Sequence, residues 1–224
     1  MRKVTLTALA GALVLAAIAG YLYMQREQLL QRAIEHYGSA ILGASVSVSS
    51  VHLSPADGDG AMRGLRIGAP LGFARDVARA EAIELSVDPA TLADPVVHIR
   101  RIVLSGPDIA YEQGRSGTNL EALQRNVRRY IGEASAESRS AKRFIVDRLV
   151  IRDAQLTYIP LSGVSSAAAT MRLPDITLRD IGKRRGGVTA GELSGIIVDA
   201  LIARTAGAVG QSVLDRTVNR LLRR

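Results

Sequence analysis

The chain has 224 residues and a formal charge of +8, from 29 Lys and Arg against 21 Asp and Glu, and it contains neither cysteine nor tryptophan. Without cysteine no disulfide can staple it and no lipid-bearing thiol can anchor it. The positive balance invites a nucleic-acid reading. Aromatic residues make up only 4%, however, so few side chains can stack on bases, no binding motif is present, and no nucleic-acid partner is expected.

At the N-terminus, Arg2 and Lys3 precede an apolar run from Val4 to Met24 whose aliphatic hydroxyl residues are Thr5 and Thr7. About 20 such residues make about 30 Å of helix, enough to cross a bilayer core. Residues 1–24 therefore read as a transmembrane anchor, with Tyr21 and Tyr23 at headgroup level and the leading cations held inside. Ala17, Ile18 and Ala19 also fit a cleavage site, so a removed signal peptide is the competing reading. Both readings export the body of the chain. The expectation is a single-pass membrane protein with its C-terminal body on the far side of the membrane.

Residues 25–43 form a juxtamembrane amphipathic helix, with Leu30, Ile34, Tyr37 and Ile41 on one face and Gly43 as its stop. A first β block follows over residues 44–112. It holds a strand through Val46, Val48, Val51 and Leu53, a hairpin at Asp57, Gly58, Asp59 and Gly60, and a return strand through Leu65 and Ile67. Ile83, Leu85 and Val87 then alternate with polar residues as in a strand wetted on one side. Over residues 113–143, Thr118 or Asn119 caps a helix bearing Leu120, Leu123, Val127, Tyr130 and Ile131, and a polar loop ends the insertion. A second β block covers residues 144–182. Thr189 and Glu192 form a capping box that opens a long amphipathic helix over 189–224. That helix either lies on the sheet or meets a membrane surface or partner.

The two β blocks share one pattern. Ile99, Ile102, Leu104, Ile109 and Tyr111 recur 47 positions later as Val146, Leu149, Ile151, Leu156 and Tyr158. A shorter copy runs from Val48 to Leu53. Each copy breaks its period-2 alternation once, as a β-bulge does. Repeated strands that cannot bury a face alone must stack into a continuous sheet, here of roughly ten strands and on the order of 50 Å.

These elements, in this order, resemble short members of the AsmA-like family of inner-membrane-anchored periplasmic proteins. The resemblance rests on the anchor and first helix, on Val46, Val48, Val51 and Leu53 before a glycine-rich hairpin, and on Leu65, Ile67, Pro70, Gly72 and Phe73. Leu92, Ile99, Ile102, Leu104, Pro107, Glu112, Asn119 and Leu120 continue it. Ala69 stands where the family more often has asparagine, and the long C-terminal domain of larger members is missing. The resemblance implies a bacterial inner-membrane placement with the C-terminal body in the periplasm, and a repeating β-groove with an apolar concave face that holds acyl chains. The residues alone lead to a compatible place, because a half-apolar sheet must close, pair, or offer its face to something apolar.

The fold expected is thus α+β and β-rich: a transmembrane helix, then a curved antiparallel sheet with amphipathic helices, the last of them long. Candidate groove residues are Val46, Val48, Val51, Leu53, Ile83, Leu85 and Val87, together with both copies of the repeat from Ile99 to Tyr111 and from Val146 to Tyr158. Arg125, Arg128, Arg129, Lys183, Arg184 and Arg185 are candidates for anionic headgroups or a membrane surface, against the alternative of a solvated surface. No catalytic set is recognisable. His36, His52 and His98 read as structural or surface histidines, and Asp57 with Asp59 reads as a tight turn in preference to a cation loop. No cofactor or metal is expected. The function read from these features is non-enzymatic lipid handling or envelope assembly, with phospholipid or a membrane surface as partner. The alternative is a scaffold whose sheet edge recruits an envelope protein by strand addition.

Overall fold

The computed structural model describes residues 27–54, 56–134, 142–161 and 168–221. Helix α1 (27–42) leads into β1 (Val46–Ser47), β2 (Ser50–Leu53), β3 (Asp59–Ile67), β4 (Ala78–Val87), β5 (Val96–Ser105), β6 (Asp108–Gly114) and the short β7 (Gly117–Thr118). Helix α2 (Asn119–Ala134) follows, then β8 (Arg143–Arg152), β9 (Gln155–Ile159), β10 (Ala169–Arg172), β11 (Ile176–Ile181) and α3 (Ala190–Leu221).

The eleven strands form one sheet that curls into a half-barrel. Four pairs of strands run end to end, each keeping one register across the gap between its two members: β1 with β2 along β3, β5 with β6 along β4, β8 with β9 beside them, and β10 with β11 beyond. Apart from the β7 spur, the sheet is therefore six ribbons wide, or about 24 Å at the usual strand spacing. That is about half the width expected from the strand number, because the breaks at 48–49, 106–107, 153–154 and 173–175 divide four ribbons without starting new ones.

The sheet is mixed, which corrects the expectation of an antiparallel one. The β5–β6 ribbon runs parallel to the β8–β9 ribbon, and every registered pair joins residues 47 apart, from Val96 with Arg143 to Glu112 with Ile159. The sequence repeat is thus a pairing register: Ile99 lies beside Val146, Ile102 beside Leu149, and Ile109 beside Leu156. Parallel neighbours need a long crossover, and the helix between the blocks supplies it. What reads as an insertion is the connection that makes the two copies parallel.

The anchor is the second correction. Residues 1–24 lie outside the described residues, and among those described no helix is long and apolar enough to cross a membrane. The structure therefore does not support a single-pass inner-membrane placement.

The expected bulge is present. Ser86 pairs with Arg101 and Val87 with Ile99, so Arg100 is the extra residue in β5. The same offset passes through β8 at Asp147 and reaches β11 at Asp180, whose φ is 53°. In β3, Gly64 takes φ 62° beside Ser49, where a Cβ would come within 2.2 Å of the serine Oγ. Bulges increase local twist and bend a strand, and rows of them carried across neighbours curl the sheet.

Two capping boxes fix the later helices. Thr118 Oγ1 accepts from Glu121 N–H while Glu121 accepts from Thr118 N–H, and Thr189 and Glu192 do the same for α3. Helices α2 and α3 pass closely where Gly191 and Gly195 face Val127 and Ile131; a Cβ on Gly191 would already lie 3.2 Å from Ile131.

Candidate functional site

The helices cover the inner face of the sheet unevenly. Over β5, β8, β9 and β11, residues Val97, Ile99, Val146, Leu156, Ile176 and Ile181 are buried, and Leu193, Ile196, Ile197 and Ala200 of α3 pack on this cluster. Leu156 is 0% exposed. Over β2, β3 and the far half of β4, the inward residues Val51, Leu53, Met62, Leu65, Ile83 and Leu85 are only half-buried. A cavity of about 410 Å³ lies over that half.

Its floor includes Met62, Leu65, Ile83, Leu85, Ile102, Leu104, Leu149 and Ile151. Leu120 and Leu123 of α2 and Ile197, Val198 and Leu201 of α3 lie over them, with Leu30 and Ile34 of α1 beside. His52 and Ser194 are the lining residues with polar side chains. The volume is that of a small-molecule pocket, and the lining offers contact area without a set of convergent polar groups. Such a wall suits an aliphatic chain.

The candidate groove residues divide accordingly. Val51, Leu53, Ile83, Leu85, Ile102, Leu104, Ile109, Leu149 and Ile151 line the cavity. Val46, Val48, Val87, Ile99, Val146 and Leu156 are buried in packing away from it. Tyr111 and Tyr158 pair across the parallel ribbons with ring centres 6.1 Å apart, and burial pushes the Tyr111 hydroxyl above its usual pKa. Sequence alternation marks the inward face and is blind to which part the helices cover.

The headgroup candidates do not form one patch. Arg125 sits on α2 near the end of the sheet where β6 and β9 finish, and lines a recess there. Arg128 and Arg129 are exposed further along α2. Lys183, with Arg184 and Arg185, belongs to a turn after β11, where its ammonium lies 2.7 Å from Asp180 and 3.7 Å from Asp147. The Asp180 carboxylate, and behind it Asp147, hold the Lys183 pKa above its ordinary value. His98 and Lys183 in turn hold the Asp147 carboxyl below the usual carboxylate range.

Two of the histidines pair with carboxylates. His98 Nε2 lies 3.0 Å from Asp147, and His52 Nδ1 lies 2.7 Å from Glu27. Among the described residues no group of three His, Asp or Glu side chains could hold a metal ion. Glu112 is engaged with backbone, accepting from Ala74 and Arg75 N–H.

Two structural devices escaped the sequence reading. Helix α1 lies along the outer edge of β1 and β2: the Gln31 side-chain amide donates to Val48 C=O, Glu35 accepts from Val48 N–H and Ser39 accepts from Val46 N–H. With Glu27 at His52, these residues make a polar stripe of period four that satisfies an otherwise open strand edge. The apolar face of the helix drew attention instead, although its Tyr37 is mostly exposed. Asn119, fully buried, donates to Ala110 C=O and accepts from Glu112 N–H, bolting the start of α2 to β6.

Compared with protein-family models and with curated proteins, the chain matches none.

Proposed function

We propose that the protein is a non-enzymatic lipid-handling protein that shelters an acyl chain between the open half of its curled sheet and the helices above it. The supporting observation is the apolar cavity of about 410 Å³. A lining this poor in polar groups gains from excluding water by contact with hydrocarbon, at roughly 25 cal/mol per Å² removed from water. The resemblance to AsmA-like proteins, which would also imply a role in envelope assembly, points to the same class of ligand. A sheet six ribbons wide is too short to form a long conduit alone, so the role is local shielding or hand-over of lipid. Recruitment of a protein by strand addition is less favoured at the β1–β2 edge, since α1 occupies it.

The test is native mass spectrometry with lipid extraction on the full chain. Co-purified phospholipid is expected, and it should fall away in Leu104→Trp, which fills the cavity, and in Leu85→Asp, which puts charge on its floor, while both variants keep the native circular dichroism. Folded wild-type chain that stays lipid-free when offered phospholipid would overturn the reading.

A further inference from the structure

Leu71 is 98% exposed, far above any other large apolar residue among those described. An exposed leucine on a loose loop would mean little, but this one is held in place. It sits in the turn between β3 and β4, where Phe73 N–H donates to Pro70 C=O at 3.1 Å. The Phe73 ring lies on Gly114, where a Cβ would come within 2.8 Å of it. The Glu112 carboxylate accepts from Ala74 N–H at 3.2 Å and from Arg75 N–H at 3.0 Å. Gly72, at φ 91°, supplies the backbone conformation the turn requires. Three attachments from β6 and the turn itself thus aim a single leucine into water.

Its surroundings are cationic. Leu71 shares a recess of about 480 Å³ with Arg115 and Arg125, next to Ile159 and Leu161 at the end of β9. Arg75 follows four residues later in the same loop. All three arginines are exposed, and among the described residues none makes a salt bridge. The one acid lining the recess, Glu112, is committed to the loop backbone.

We infer that this end of the sheet docks on an anionic phospholipid surface, with Leu71 entering the acyl boundary and Arg75, Arg115 and Arg125 meeting lipid phosphates. An apolar prong with guanidinium groups around it matches the layered chemistry of a membrane face, hydrocarbon below and phosphate above. A protein partner would need an apolar socket with an acidic rim. The proposal is independent of the cavity, which lies on the inner face of the sheet.

Because the chain lacks cysteine, Leu71→Cys gives a single labelling site for an environment-sensitive fluorophore on the full chain. Asp57→Cys, in the hairpin at the opposite end of the sheet, is the control. On phosphatidylglycerol-containing vesicles the label at 71 should shift to the blue and become shielded from an aqueous quencher, and the label at 57 should not. On pure phosphatidylcholine the response at 71 should weaken strongly. Replacing one of the three arginines by Gln should reduce the apparent affinity at 71 about fivefold, and replacing all three about a hundredfold. A label at 71 that stays in water on both vesicle types would overturn the proposal in favour of a protein socket. An equal response on both would overturn the role of the arginines.

Discussion

The two halves of the sheet use the same kind of strand and end differently. At Val97, Ile99, Val146, Ile176 and Ile181 of β5, β8 and β11 the inward side chains are closed off by α3, and Val146 is 0% exposed. Over β2, β3 and β4 the inward residues are equally aliphatic but only half-buried, and the cavity lies above them. The difference comes from the covering layer. Helix α3 packs Leu193, Ile196 and Ala200 directly on the closed half but only roofs the open one, together with α2, which Asn119 pins to β6, while α1 caps the edge strand and reaches the cavity from the side. A strand face becomes core or cavity according to where the chain places its helices.

The contrast is broken most directly by truncation. Leu156→Ala in the closed half should cost about 2–5 kcal/mol by urea denaturation, because nothing can collapse into the space. Leu85→Ala in the open half should cost about 1 kcal/mol, as the leucine begins half-solvated. Equal costs would mean that the two halves are packed alike. Asn119→Ala should cost about 1–3 kcal/mol, by leaving Ala110 C=O and Glu112 N–H unpaired beneath α2. Glu35→Ala should cost about 1 kcal/mol and should also raise aggregation, measured by light scattering, by uncovering the β1–β2 edge.

The outer face permits a gain. Arg148 lies directly between Arg101 and Arg179 on neighbouring ribbons, and like charges in register repel. Arg148→Glu should therefore stabilise the fold by about 0.2–1 kcal/mol per opposed pair, an effect that salt diminishes. The smallest expected effect is acid sensitivity. Arg66 and Arg79 hold the Asp76 carboxyl below its ordinary 3.8, and His98 and Lys183 do the same for Asp147. A depressed folded value means that these carboxylates support the fold fully above the unfolded value and cease to as pH falls through the folded one. The melting temperature should drop below about pH 4, and Asp76→Asn should flatten part of that drop. The pairs are surface-exposed, so the slope should be shallow.

Much of the architecture was legible in the residues. The 47-residue repeat, the bulge after Ile99, the box at Thr189 and Glu192 and the helix after Thr118 all appear in the structure. Direction was not legible, because alternation reports which face a residue takes and not which way the neighbouring ribbon runs. The crossover helix carried that information and was read as an insertion. The cavity was half legible: the strand pattern named the aliphatic floor, but its boundary depends on long-range placement by Asn119, Gln31 and Glu35, whose roles no local pattern announces. Leu71 carried no signal in the sequence, since exposure of a single apolar residue is invisible before the turn around it is known.

The central claim is that the open half, and not the closed one, receives hydrocarbon. A fatty acid with a photoreactive group along its chain, irradiated with the full protein and mapped by peptide mass spectrometry, tests this residue by residue. Labelling is expected on Met62, Ile83, Leu85 and Leu104, with none on Val146 or Leu156. Labelling spread evenly over both halves, or confined to surface residues, would contradict it.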